Sequence, residues 1–230
     1  MKLYELLGDR DRRYSLFSWR SRMALAHKGI APEYVPVRLS DKAAIAFSGG
    51  TTVPVLVDGA TVVRDSWAIA CHLEERYPDA PSLFGGPAGR GVARLINNWV
   101  DRALLGDLVS ALARDALDRI HADDREYFRA SMEKAFKGSL EDLAAERERR
   151  IERFQRALDP VRATLKQQAF LGGDGPAYAD YIVFSPLNWA RCVSPQEVLR
   201  PGDAIAEWRD RLLDLYDGMA RRVPGAGIAS

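Results

Sequence analysis

The chain has 230 residues and a formal net charge of +1, with 47% hydrophobic and 28% charged residues. A chain of this length can bury one large core or two smaller ones, and its composition is ordinary for a globular protein. The near-neutral charge gives no reason to expect a nucleic-acid partner or an anionic membrane surface. The two cysteines and three histidines lack the spacing of a metal site.

No apolar run reaches the length of a membrane span. Acidic residues also lie in the first nine positions, where a signal peptide would be apolar. We therefore expect a cytoplasmic protein with no membrane partner.

The first elements in chain order predict a βαβ unit. Residues 2–7 alternate in polarity and predict a strand, an apolar stripe from Leu16 to Ile30 predicts a helix, and residues 33–38 predict a second strand. A strand, a helix and a second strand in this order are typical of parallel pairing through a crossover.

The segment from Ser48 to Ala70 is the most informative part of the chain. Residues 55–57 and 61–63 predict two apolar strands, and Asp58-Gly59 supplies residues that tolerate a tight turn. Asp65-Ser66 then opens an amphipathic helix. Together these elements predict a βαβ-ββα, thioredoxin-like domain over residues 1–80.

This segment also suits a ligand that is itself a peptide. Pro54 has no N–H and biases Val53 towards an extended conformation, in which its backbone can pair with a short extended chain. Asp65 can receive an ammonium group, and the Ser66 hydroxyl with the helix N–H groups can receive a carboxylate. The simpler alternative is a hairpin followed by a capped helix.

Residues 81–90 are rich in glycine and proline and predict a linker, and residues 91–230 predict an all-helical domain. Within that domain we expect one helix from about Pro87 to Ile120 and a kink at Pro160. The charge run over residues 146–153 predicts a solvated helix face.

The order of strand, Val-Pro, hairpin, Asp-Ser and helix resembles the glutathione-binding domain of glutathione S-transferases. Within that family the chain is similar to the branch of bacterial β-aryl etherases and their fungal relatives. Three stretches carry this likeness: residues 15–29, Asp65-Ser66-Trp67 and residues 170–181. The resemblance implies the two-domain transferase architecture, glutathione as cosubstrate, a cis Val53–Pro54 bond and a homodimer.

In this family a Ser or Thr and an Asp form a capping box on a helix of the second domain. Asp180 matches the carboxylate member, whereas Ala177 stands at the hydroxyl position. Half of the box is therefore missing, which weakens the helix cap by about 1 kcal/mol.

Ser15 is the candidate for activating the glutathione thiol. A hydroxyl at a helix N-terminus can hydrogen-bond a thiolate, and the helix dipole also favours the anion. In the resembling branch a serine here is followed by proline, and in this chain Leu16 replaces that proline. Ser15 as a simple helix cap, Ser18 one turn later and Tyr4 on the first strand remain alternatives.

The remaining site predictions concern the ends of the ligands. Lys42 and Thr52 are candidates for the glycine carboxylate of glutathione, beside Val53, Pro54, Asp65 and Ser66. Phe17 is the candidate for contact with an apolar second substrate. Three apolar residues of the helical half are candidates for the opposite wall, or alternatively for core: Trp99, Leu105 and Leu108.

The sequence thus predicts a glutathione transferase that activates the glutathione thiolate for attack on a hydrophobic, aromatic electrophile, by conjugation or ether cleavage. The alternative is a non-catalytic carrier or interaction protein with the same fold. A glutathione-dependent reductase is disfavoured because position 15 is serine, and disulfide exchange needs a protein thiol there.

Overall fold

A computed structural model describes residues 1–227 of the chain, so residues 228–230 of the predicted helical domain lie outside the described residues. The sheet has the order β2-β1-β3-β4. β1 runs parallel to β2 and antiparallel to β3, and β3 pairs antiparallel with β4. The strands are β1 (Lys2–Leu6), β2 (Glu33–Val37), β3 (Val55–Asp58) and β4 (Thr61–Arg64).

Helix α1 (Leu16–His27) connects the two parallel strands, and α2 (Ser66–Arg76) follows the hairpin. The βαβ-ββα, thioredoxin-like arrangement predicted from the sequence is therefore confirmed. The hairpin turns at Gly59, whose φ of 60° lies in the left-handed region that glycine adopts without strain. Because side chains alternate along a strand, β3 contributes side chains to the hydrophobic clusters on both faces of the sheet. Leu56 joins the main core, and Val55 packs with Val37 and Ile45 on the other face.

The second part is helical. Its helices are α3 (Pro87–Trp99), α4 (Leu105–Leu117), α5 (Arg125–Phe136), α6 (Leu140–Ala145), α7 (Arg147–Ala157), α8 (Asp159–Leu165), α9 (Tyr178–Val193) and α10 (Ala204–Gly218). None of the helices within residues 1–227 is long and apolar enough to cross a membrane.

The single helix predicted from about residue 87 to residue 120 is divided. A π-helical segment, Val100–Leu104, separates α3 from α4. In this wider turn Val100 and Leu104 have no exposed surface. Asp101, in the same turn, accepts a hydrogen bond from the buried Arg20 guanidinium at 2.7 Å. An interruption of this kind inside an otherwise regular helix often accompanies a specific local contact.

The kink predicted at Pro160 is present as a break between two helices. Helix α7 ends at Ala157, and Pro160 lies in the first turn of α8, where its missing N–H leaves no helical bond unmade.

The charge run over residues 146–153 is not simply a solvated face. Arg147 donates to Asp115 at 2.5 Å, Arg150 to Ser110 at 2.9 Å, and Arg153 to Asp107 at 2.6 Å. The spacing of three residues brings these guanidinium groups to one side of α7. They tie α7 to α4.

Helix α9 passes through the centre of the molecule, and every residue from Tyr178 to Ala190 is buried. Its N-terminus lacks a side-chain cap at Ala177, as the missing hydroxyl predicts. Asp180 has no exposed surface and accepts four hydrogen bonds. Their donors are the backbone N–H groups of Leu171 (2.7 Å), Gly172 (3.0 Å) and Ala177 (2.9 Å), and Nε1 of Trp208 (2.8 Å).

Candidate functional site

A cavity of about 940 Å³ lies beside the hairpin of the first domain. Eight residues predicted from the sequence to form the site line this cavity: Ser15, Phe17, Lys42, Thr52, Val53, Pro54, Asp65 and Ser66. They come from the start of α1, the loop after β2, the segment before β3 and the start of α2. The fold therefore brings together residues that lie 51 positions apart between Ser15 and Ser66.

The Val53–Pro54 peptide bond is cis, as the resemblance implies. The ladder between β1 and β3 begins at Val55, so Val53 precedes the paired part of the strand. Val53 lines the cavity beside Pro54. Its backbone can therefore accept a short extended peptide without displacing a sheet hydrogen bond.

Asp65 caps α2 in a strained conformation. Its Oδ1 accepts the backbone N–H groups of Trp67 at 2.9 Å and Ala68 at 3.1 Å. Within residues 1–227, its second carboxylate oxygen has no hydrogen-bond partner. The φ of 76° and ψ of 134° are costly for any residue other than glycine, and such strain is concentrated at functional sites. The helix cap is thus compatible with ligand binding, since one carboxylate oxygen caps α2 and the other is available for an ammonium group.

Ser66 is the first residue of α2 and is almost fully buried. Its backbone carbonyl accepts a hydrogen bond from the Tyr178 hydroxyl at 2.8 Å, which joins the helix start to α9. Burial raises the pKa of Tyr178, so this hydroxyl stays neutral and remains a donor. Because Asp65 accepts the Trp67 and Ala68 N–H groups, the Ser66 N–H is the donor of the first turn of α2 that is left for a ligand, and it has a fixed position at the cavity.

Ser15 caps α1 and lines the cavity with 7% of its surface exposed. Its Oγ accepts the backbone N–H of Ser18 at 3.2 Å. Because this bond uses a lone pair, the hydroxyl hydrogen can still be donated to a sulfur anion. The cap and the activating role proposed for Ser15 are therefore compatible.

The two alternative donors lie outside the cavity lining. The Ser18 Oγ is buried and has no hydrogen-bond partner among residues 1–227. The Tyr4 ring packs against Phe47, with 5.1 Å between ring centroids. The geometry therefore favours Ser15 over both.

The cationic wall of the cavity is larger than the sequence indicated. Lys42 lines it, with Nζ 5.1 Å from the centroid of the Tyr127 ring. Arg38 and Arg64 also line the cavity. Arg38 ends the predicted second strand and Lys42 follows it, so a search for cations at this end of the strand could have identified both.

The apolar wall differs from the prediction. Phe17 lines the cavity and is half-buried, with the Arg20 guanidinium 5.0 Å from its ring centroid. Trp99, Leu105 and Leu108 are not among the lining residues. Leu108 has no exposed surface, and Trp99 and Leu105 pack against the main core.

The apolar stripe of α4 is used for packing against α6 and α7, which explains why it does not face the cavity. Met132 on α5 supplies the apolar contact from the helical half instead. No local signal in the sequence marks Met132, because its position depends on how α5 returns to the first domain.

Two family profiles match the chain. The profile described as "Glutathione S-transferase, N-terminal domain" matches residues 14–76. The profile described as "Glutathione S-transferase, C-terminal domain" matches residues 91–216.

Individual proteins give the same result. Glutathione S-transferase Z2 of Arabidopsis thaliana is 35% identical over 118 residues, covering 46% of this chain and 53% of that protein. A probable maleylacetoacetate isomerase of Caenorhabditis elegans is 38% identical over 84 residues, covering 35% of this chain and 39% of that protein. These matches span about half, or less, of each relative's length.

The crystal structure of glutathione transferase GSTFuA2 from Phanerochaete chrysosporium superposes with a TM-score of 0.76 at 27% identity, covering 94% of this chain and 92% of that one. With both halves of the chain matched by profiles of one family, and the C-terminal profile alone spanning more than half of it, the chain belongs to the glutathione S-transferase family.

Proposed function

We propose that this chain is a glutathione transferase that activates the glutathione thiolate for attack on a hydrophobic, aromatic electrophile. The observation that carries the proposal is that the Ser15 hydroxyl and the Asp65 carboxylate open onto one cavity of about 940 Å³. One group suits a sulfur anion and the other suits an ammonium group. Glutathione carries both.

The residues of the cavity complement each end of the tripeptide. The γ-glutamyl ammonium pairs with the free oxygen of Asp65, and the adjacent carboxylate is received by the Ser66 N–H and hydroxyl at the start of α2. The backbone of Val53 pairs with the cysteinyl residue, and Lys42 with Thr52 receives the glycine carboxylate.

Thiol activation follows from electrostatics. A free thiol has a pKa of about 8.5, so little of it is ionised at neutral pH. The Ser15 hydroxyl donates to the sulfur, and the positive end of α1 favours the anion. The thiolate then forms a bond to an electrophilic carbon, and the leaving group departs with the electron pair of the broken bond.

The etherase likeness of the sequence supports an aromatic ether as one electrophile. In that reaction the thiolate attacks the carbon of a C–O bond, and a phenolate leaves. Phe17 and Met132 provide apolar contacts on the cavity wall for an aromatic group. An aryl halide would use the same contacts, with halide as the leaving group.

A second candidate is glutathione-dependent cis–trans isomerisation. Its support is the likeness to a protein named as a probable maleylacetoacetate isomerase, together with the cations Lys42 and Arg64 on the cavity wall. The thiolate would add to an electron-poor double bond, the resulting single bond would rotate, and elimination would return the thiolate. Glutathione is consumed in conjugation and is regenerated in isomerisation, so its concentration during turnover distinguishes the two.

A carrier with the same fold remains the non-catalytic alternative, and it predicts binding without turnover. We further propose that the protein is a cytosolic homodimer. Light scattering on the purified chain tests the dimer, with a mass near twice 25.6 kDa as the expected result.

Calorimetry with glutathione tests the site. Asp65→Asn keeps a good helix-capping residue but removes the charge, so we expect glutathione affinity to fall about tenfold or more at nearly unchanged stability. Asp65→Ala is the comparison, since it removes both the charge and the cap. Absence of glutathione binding by the parent at millimolar ligand would contradict the proposal. If glutathione binds, turnover of a panel of electrophiles distinguishes an enzyme from a carrier.

A further inference from the structure

The segment of residues 122–136, which we call the strap, joins the helical half to the cavity. It consists of a 3-10 turn, Ala122–Asp124, followed directly by α5. Only Asp124 and Phe128 are buried in this segment. A helix with so little buried surface gains little from the core and needs other contacts to hold its position.

Asp124 supplies the strongest of these contacts. Its carboxylate has no exposed surface and accepts the backbone N–H groups of Leu39 at 2.9 Å and Ser40 at 3.0 Å. It also accepts the Ser40 hydroxyl. A carboxylate with three donors from one loop holds that loop in a defined conformation.

Two further contacts join the same loop to the strap. Arg38 forms an ion pair with Asp123, and the Lys42 ammonium lies over the ring of Tyr127. Residues 38–42 therefore contact the strap at both ends and in the middle. Arg38, Leu39 and Lys42 also line the cavity, so the strap holds part of the cavity wall.

The strap also contributes a side chain of its own. Met132, two turns after Asp124, lines the cavity. Among residues 1–227 it is the one lining residue that comes from beyond the first domain. A methionine is flexible and polarisable, and it adapts to apolar groups of different shape.

We propose that the strap determines which electrophiles the site accepts. Met132 is the specificity-determining contact for the apolar group that becomes attached to sulfur. Asp124 is a positioning residue, which holds loop 38–42, and with it Lys42, against the strap. This inference rests on the proposed glutathione site.

Binding of glutathione and of S-benzylglutathione, measured by calorimetry, tests the role of Met132. Met132→Ala removes apolar contact area, so we expect the preference for S-benzylglutathione over glutathione to fall about fivefold. The affinity for glutathione itself should stay within about twofold. Met132→Leu is the matched control, since a volume-conserving apolar substitution should leave the preference near that of the parent.

Hydrogen exchange tests the role of Asp124. Asp124→Asn replaces an acceptor oxygen by a donor, so the amides of Leu39 and Ser40 should exchange about tenfold faster, and glutathione affinity should fall about fivefold. Asp123→Asn is the comparison: it weakens the ion pair with the Arg38 side chain but no bond to these amides, so it should change their exchange less than Asp124→Asn does. If Asp124→Asn does not fold, Ser40→Ala removes one donor to the carboxylate and should give a smaller change of the same sign.

The outcomes separate the inference from the proposed function. A parent that binds both ligands, with a preference unchanged in Met132→Ala, overturns the strap as a specificity element and leaves the glutathione site intact. Unchanged exchange of Leu39 and Ser40 in Asp124→Asn overturns the positioning role. A parent that binds neither ligand overturns the proposed function, and the specificity role of Met132 with it.

Discussion

Removal of the Ser15 hydroxyl should raise the pKa of the bound glutathione thiol. A charge-assisted hydrogen bond contributes about 1.5–3 kcal/mol, and one pKa unit corresponds to about 1.4 kcal/mol. Ser15→Ala should therefore raise the thiol pKa by about 1–2 units. At neutral pH the thiolate fraction, and with it the turnover of an electrophile, should fall about tenfold or more.

The same substitution removes a helix cap, since the Ser15 Oγ accepts the Ser18 N–H at 3.2 Å. Loss of a serine cap costs about 1 kcal/mol of stability. Ser139→Ala is the matched control. Ser139 caps α6 by accepting the Asp142 N–H at 3.0 Å, and it does not line the cavity. Both variants should lose similar stability, and only Ser15→Ala should change the thiol.

The assay is the ultraviolet absorbance of the thiolate in the protein–glutathione complex, titrated against pH. Urea unfolding of both variants supplies the stability comparison. If the thiol titrates identically in the parent and in Ser15→Ala, the hydroxyl does not contact the sulfur. Activation would then rest on the N-terminus of α1 alone.

Two further predictions concern stability. Asp180→Asn would place an amide donor opposite two of the four N–H groups that now donate to the carboxylate. The free energy of unfolding, measured by urea titration, should therefore fall by on the order of 3 kcal/mol. A loss under about 1 kcal/mol would contradict this prediction. Burial raises the pKa of Asp124, but hydrogen bonds from Ser40 and Leu39 outweigh burial and hold the pKa below its usual value. The stability that Asp124 contributes should therefore be present at neutral pH and be lost as pH falls below about 4, through its lowered value. Acid unfolding of Asp124→Asn should lack this component, and identical acid profiles for parent and variant would refute it.

The part of the site that the sequence determined is local. Val53, Pro54, Asp65 and Ser66 lie within fourteen residues of one another around a single hairpin, and turn and cap chemistry is enough to predict their arrangement. The cap at Ser15 follows the same short-range rules, whereas the cis bond was predicted from the family likeness and the sheet from the order of its elements. The turn and the cap depend on residues close in the chain, whereas the sheet pairs residues as far apart as Lys2 and Val57.

Tertiary structure decided the features in which distant elements meet. The apolar stripe that contains Leu108 is equally compatible with a cavity wall and with a core, and the packing of α4 on α6 and α7 assigns it to the core. Met132 lines the cavity from α5, and Asp124, which precedes that helix, bonds the loop after β2. Periodicity specifies that a helix has an apolar face, but the partner of that face depends on contacts between residues far apart in sequence, which short-range propensities do not encode.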